Sequence, residues 1–323
     1  MPSPGKPRSG SMQFWPRKRA NRIYARVRHW AESKDAKPLG FAGYKVGMTH
    51  MIVIDNGPNS LTKNEEISIP VTLIECPPMK VFSARFYKKE GYASRVVSEV
   101  LAEKLDKELE RKITMPKKSK KFDDVKDFDD IKITLYTQPK LTGIGKKKPD
   151  MIELALGGSK EEKLNFVKEN LGKEINIDNV FQPGNQIDIH AVTKGKGFQG
   201  PVKRFGVHLR SHKSEKVIRG PGSLGAWNAQ GHIMWRVAHA GQMGFHQRTE
   251  YNKWIMKISK GEEVKVKGGF IRFGVIKNPF IAVKGSIAGP AKRIIIFTKA
   301  QRPNKKLSAN VPEIKYLSLE SKQ

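Results

Sequence analysis

The chain has 323 residues, of which 38% are hydrophobic, with one cysteine and a formal net charge of +30 at pH 7. That length holds two domains, or one domain with a large insertion, and that apolar share builds a core. The charge calls for an anionic partner, and the lone Cys76 excludes an internal disulfide and a cysteine-based zinc site. No apolar run reaches the roughly 18 residues that would span a bilayer. The start, Met1-Pro-Ser-Pro-Gly, runs into charged residues and does not read as a secretory signal. A reducing, cytoplasmic setting is expected, with Cys76 a small buried residue rather than a nucleophile.

Residues 1–38 read as a basic N-terminal arm. Pro16-Arg-Lys-Arg19, Arg22, Arg26 and Arg28 are interleaved with Phe14, Trp15, Tyr24, His29 and Trp30. Arg22, Arg26 and His29 fit one face of a short helix. A plain basic tail does not need aromatics, so they favour an arm that orders on RNA by stacking. Residues 39–88 read as strands: 39–54, then 67–74, then 81–87, with turn chemistry at Asp55-Asn-Gly-Pro58. Short strands with many glycines and no intervening helix predict an antiparallel barrel.

Residues 89–180 differ. Positions 90–180 hold 19 Lys/Arg and 18 Asp/Glu, so nearly all the net charge lies elsewhere. Ser98–Glu110 has helical spacing, with Leu101, Leu105 and Leu109 on one stripe. Residues 159–171 predict a second helix, with Ser159 and Glu162 as a capping box and Gly172 as the stop. Strands are expected at 131–137 and 152–156, and Asp123–Asp130 reads as a solvated acidic face. The fold class is therefore mainly β with an α/β insertion. The barrel resumes over 181–194, with strand alternation at 187–193, and again over 261–299, with strands at 264–270, 275–283 and 293–298. Residues 300–323 read as an extended basic tail.

Between those barrel parts lies a basic stretch, 195–260. From Lys194 to Lys260 there are 13 Lys/Arg against two acids, Glu215 and Glu250, with ten Gly and five of the eight His. No helix or strand period holds across it, and it is too long for an ordinary connection. It reads as a two-legged excursion, with basic legs at 194–219 and 236–257.

Several patterns in it invite other chemistry. Gly195-Lys-Gly-Phe-Gln-Gly200 matches G-x-G-x-x-G after a strand. A dinucleotide site would also need a helix opening at the last Gly and an acid about 20 residues on. Pro201-Val-Lys-Arg-Phe-Gly206 does not predict that helix, and only Glu215 is in reach. The kinase signatures that would accompany a glycine loop are missing. His208 and His212, and His232, His239 and His246, have helical spacing, but no cysteine or nearby carboxylate completes a zinc shell. Ser223 lacks the nucleophile-elbow pattern because Pro221 stands where Gly is needed. The three glycines still allow close backbone approach to phosphate, with Lys194, Lys196, Lys203 and Arg204 to neutralise it. Trp227 has two readings, as a core residue or as a loop-tip residue that inserts into a structured partner.

Five segments carry a resemblance: Pro16-Arg-Lys-Arg19; Gly43-Tyr-Lys-Val-Gly-Met-Thr-His50; Val192-Thr-Lys-Gly-Lys-Gly-Phe-Gln-Gly200; Leu224-Gly-Ala-Trp-Asn228; and Ala240-Gly-Gln-Met-Gly-Phe-His-Gln-Arg-Thr-Glu250. In this order the chain resembles the archaeal form of the large-subunit ribosomal protein L three family. The resemblance implies a six-stranded translation-protein β-barrel with an inserted α/β domain and long basic extensions that enter the large-subunit rRNA. It implies a structural, non-catalytic role in early assembly and near the peptidyl-transferase centre, with Trp227 at the tip of the central extension. Expected partners are large-subunit rRNA and neighbouring large-subunit ribosomal proteins, with no membrane, small-molecule substrate, cofactor or metal.

The residues expected on rRNA are Arg17, Lys18, Arg19, Arg22 and Lys45. In the first leg and tip they are Lys194, Lys196, Phe198, Lys203, Arg204, Arg210, Lys213, Arg219 and Trp227. In the returning leg they are Arg236, His239, Gln242, His246, Arg248 and Lys253. The competing readings are an RNA-modifying enzyme and a nucleotide-binding enzyme using the Gly195–Gly200 loop.

Overall fold

Strand dominates the computed structural model, which describes residues 8–57, 59–116, 119–125, 127–214, 216–226, 231–307 and 310–320. In chain order the strands are β1 (Gly40–Ile54), β2 (Glu66–Glu75), β3 (Met79–Glu90), β4 (Ala93–Leu101), β5 (Asp130–Thr137), β6 (Met151–Ala155) and β7 (Glu174–Ile175), then β8 (Gln186–Val192), β9 (Phe198–Gln199), β10 (Gly241–Gln242), β11 (Gln247–Ser259), β12 (Phe280–Lys284), β13 (Ile294–Lys299) and β14 (Ile314–Leu317). Among the described residues two α-helices form, α1 (Lys160–Asn170) and α2 (Pro201–Phe205). No helix among them is long and apolar enough to cross a membrane. The chain divides into two compact units. One comprises Met1–Arg22 and Val192–Gln247, the other Ile23–Ala191 and Arg248–Gln323.

In the larger unit the strands pair in the order β13-β8-β11-β12-β2-β1-β14, and β13 also pairs with β1. Six strands therefore follow one another in a closed circuit. The register is fixed by apolar residues such as Phe41 opposite Phe297, Leu73 opposite Ala282 and Ile255 opposite Val283. Close approach at the β1–β2 crossing requires glycine: a Cβ on Gly43 would lie 2.7 Å from the Glu75 carbonyl oxygen and 2.8 Å from Cys76 Sγ. Cys76 is buried, and burial pushes its thiol pKa up, as expected of a packing residue.

Between β2 and β8 the chain builds a second sheet, β4-β3-β5-β6, with β7 on β3. Both sheets contribute to one hydrophobic cluster. Helix α1 begins where the capping box predicts: Ser159 N–H donates to Glu162 Oε2 at 2.8 Å, and the Glu162 N–H donates back to Ser159 Oγ at 3.4 Å.

The structure corrects several expectations. Ser98–Glu110 is not a helix: Ser98–Leu101 is the end of β4, hairpinned to β3, and a 3-10 turn covers Lys107–Arg111. The leucines still share one purpose, since Leu109 is buried with Phe82 and Tyr136, and Leu101 and Leu105 pack against them. Residues 264–270 form no strand, because Gly268 and Gly269 take positive φ and fold the segment back so that the Phe270 N–H donates to the Gly274 carbonyl. No helix joins Arg22, Arg26 and His29; residues 23–38 instead pack within the larger unit, with Ala25 buried. The tail is not simply extended, because β14 pairs with β1. The acidic run is partly engaged: Asp127 and Asp130 pair with Lys88 and Lys163.

Glu75, fully buried at the end of β2, holds the approach to β12. Its Oε1 accepts from Lys277 N–H at 2.8 Å, and from Asn278 N–H and Nδ2 at 2.9 Å each. Glu75→Ala leaves two backbone donors without an acceptor, at roughly 1–3 kcal/mol each. We expect a loss of about 3 kcal/mol, read as a lower urea midpoint at unchanged slope. A change under about 1 kcal/mol would mean that water replaces the carboxylate.

Candidate nucleic-acid interface

The smaller unit concentrates charge. Met1–Arg22 and Val192–Gln247 together contain 15 Lys/Arg and a single acid, Glu215, which lies outside the described residues. Nearly half of the net charge of +30 thus sits in under a quarter of the chain.

The two legs of the excursion are tied at their base by a short antiparallel ladder. Gly241 pairs with Gln199, and Gln242 with Phe198. The Lys196 N–H donates to Met243 O at 3.0 Å, Met243 N–H to Gly197 O at 2.9 Å, and Thr193 N–H to His246 O at 2.9 Å. Gly244, at φ +70°, lies against Lys194, where a side chain would collide.

The first part of the N-terminal arm, as far as Arg22, belongs to this unit. The Ala20 N–H donates to Phe245 O at 2.8 Å, and His246 Nδ1 lies 2.9 Å from Lys18 O. Arg19 sits 5.5 Å from the Phe245 ring centroid. Further along, Trp15 stacks on Phe205 at 5.5 Å, and Arg17 and Arg204 lie 4.2 and 5.0 Å from that ring. The two arginines exchange donors with each other's backbone: Arg17 Nη1 to Arg204 O at 2.6 Å, and Arg204 Nη2 to Arg17 O at 3.2 Å. Arg204 also donates to Gln242 O and His239 O, each at 2.9 Å. Burial, then the neighbouring Arg8, lowers the pKa of Arg17; burial, then Arg17, lowers that of Arg204. Guanidinium groups stay charged under such shifts. Arg17 and Arg204, the backbone carbonyls of His239 and Gln242, and the His246 ring therefore form an internal clasp.

The other expected contacts of this unit are displayed outward. Lys18, Arg19, Arg22, Lys194, Lys196, Lys203, Arg210, Lys213, Arg219 and Arg236 are exposed, and the Phe198 side chain is 76% exposed. Lys45, Arg248 and Lys253 belong to the larger unit. Lys45 Nζ donates to Ile287 O at 2.5 Å and Gly289 O at 2.9 Å, and burial lowers its pKa. Lys253 donates to Ser286 O at 2.8 Å and pairs with Glu250 at 3.2 Å, while Arg248 is half-buried. Trp227 lies outside the described residues.

The Gly195–Gly200 loop does open into a helix, contrary to the sequence reading. Pro201 supplies the first-turn φ and Gly206 closes the helix in the left-handed region. It runs only from Pro201 to Phe205, a single turn. Among the described residues no three His, Cys, Asp or Glu come together as a metal site.

A profile of the ribosomal protein L3 family matches residues 1–323. The chain belongs to that family. Its curated relatives include large ribosomal subunit protein uL3 of Archaeoglobus fulgidus, 48% identical, with 98% of each chain covered. The proteins of the same name from Methanocaldococcus jannaschii and Methanobrevibacter smithii are 46% and 44% identical, again over 98% of each chain.

Two features of this L3-family chain escaped the sequence reading. Strand β11 lies inside the stretch read as aperiodic. The aromatic cluster of Trp15, Phe205 and Trp235 was also missed; its only sequence signal was aromatics set among arginines in two segments far apart in the chain.

Proposed function

We propose that this chain is a structural, non-enzymatic constituent of the large ribosomal subunit in the cytoplasm, where it binds large-subunit rRNA. Membership of the ribosomal protein L3 family supports the assignment. The observation that carries the binding mode is the smaller unit, with 15 cations against one acid, exposed Lys and Arg along the arm and the first leg, and Arg236 exposed at the start of the returning leg. Backbone phosphates neutralise such a surface, and exposed aromatics stack on unpaired bases.

The six-strand circuit supports a translation-protein barrel as the anchoring body, with β3 to β7 and α1 as the inserted α/β domain. The nearly balanced charge of 90–180 suits neighbouring ribosomal proteins rather than phosphate. Trp227 would mark the tip of the extension near the peptidyl-transferase centre, and the whole would act early in assembly.

Ultracentrifugation of cell extract tests this. The chain should sediment with the large subunit at low salt and leave it only at high salt, as counterion release requires. Sedimentation as free protein at low salt would overturn the assignment.

A further inference from the structure

We propose that Trp235 is a stacking platform for one unpaired base of the bound RNA. The inference rests on the rRNA-binding reading above. The Val237 N–H donates to Met234 O at 3.1 Å, closing a turn that places Trp235 and Arg236 at its two central positions. Both are exposed, Trp235 by 62%. An indole left in water at a turn tip forgoes the burial that makes tryptophan worth having.

The ring is nevertheless held in place. Trp15 meets it at 5.4 Å between centroids and 75° between planes. Trp15 is itself stacked on the buried Phe205, whose ring Arg17 and Arg204 approach to 4.2 and 5.0 Å. A T-shaped contact covers at most one face of the Trp235 ring, so a face remains for a flat ligand. A ring already packed against a neighbour loses less freedom when a ligand stacks on it, which reduces the ordering cost of stacking.

Charge selects the ligand. Residues 231–247 contain no acid, and Arg236 stands beside the indole. A protein partner would need a local excess of carboxylates, whereas RNA brings a phosphate with every base. A-form duplex hides its base faces, so the base must be unpaired. Stacking on Trp235 with the adjoining phosphate on Arg236 satisfies both residues of the turn.

The test uses the full chain and large-subunit RNA, with Trp235→Ala and Trp235→Phe. Binding is titrated across a salt series, and the bound RNA is probed with base-modifying reagents. Base–aromatic stacking supports a loss of about 5- to 150-fold in affinity for Trp235→Ala. The log–log salt slope should stay unchanged, because no cation is removed. One nucleotide should become newly reactive in Trp235→Ala, and Trp235→Phe should restore its protection. Wild-type affinity and reactivity in Trp235→Ala would overturn the proposal. So would reactivity spread over many nucleotides with a shallower slope, which would mark loosening of the Trp15 cluster instead. Failure of the unmodified chain to bind RNA would sink the rRNA reading itself.

Discussion

Replacing residues 201–240 by a short Gly/Ser linker should reduce the salt dependence of RNA binding sharply while the larger unit stays folded. The excised segment carries six exposed cations: Lys203, Arg210, Lys213, Lys216, Arg219 and Arg236. If each neutralises one phosphate, the log–log slope should fall by roughly 4 to 5. Between 50 and 200 mM salt those contacts alone cost the intact chain about 10³-fold in affinity, a loss the shortened chain would not show. The larger unit keeps its own cluster, including Phe41, Leu73, Phe280 and Phe297, none of which lies in the excised segment. Its thermal transition should therefore persist. An unchanged slope would place the RNA contacts elsewhere, and loss of the transition would make the extension part of the core.

The same excision removes Phe205 and Arg204, which hold Trp15 and Arg17. We expect the arm around Trp15 and Arg17 to lose its order along with the extension, while Lys18 and Ala20 stay tied to His246 and Phe245. These contacts could not be read from the sequence. Arg17 and Arg204 look like phosphate ligands in any one-dimensional view, because both sit in basic runs. Only a contact across 187 residues turns their donors inward to backbone carbonyls. Lys45 has contacts that the sequence does not announce either: its stem follows a strand pattern and its ammonium reaches two carbonyls in the 287–289 loop.

Local signals were legible where one physical cause sufficed. Ser159 and Glu162 fixed the start of α1, and Gly172, at φ +79°, follows its end. Alternation and β-branching marked β1, β2, β5, β8 and β13. Strand β11 was hidden because two effects overlap in Gln247–Ser259. Asn252 takes φ +54° and donates its N–H to Asp188 Oδ1, which breaks the period of two. Arg248, Lys253 and Lys257 then give the strand the look of an RNA-gripping leg. In Ser98–Glu110 the leucine spacing suggested a helix, but pairing with β3 buries Ser98 and Val100 at strand spacing.

Gly244→Ala should unfasten the base of the extension. Two costs coincide there. The backbone sits at φ +70°, which disfavours any residue with a Cβ by roughly 1–2 kcal/mol. An added Cβ would also fall well inside contact distance of the Lys194 carbonyl oxygen, and 3.0 Å from Lys196 N. Neither neighbour yields easily, because both are backbone atoms next to the Lys196–Met243 and Phe245–Lys194 hydrogen bonds. Relief therefore requires the ladder to open, so amide exchange at Lys196, Met243 and Phe245 should accelerate at least 100-fold, corresponding to about 3 kcal/mol of lost local stability. RNA affinity should fall with it, while the larger unit keeps its protected amides. Gly197→Ala supplies the control. Its φ is +67° but nothing lies within 4 Å of the added Cβ, so only the conformational cost of about 1–2 kcal/mol applies. Equal effects of the two substitutions would show that left-handed backbone alone, and not the packing of the legs against each other, makes glycine necessary at Gly244.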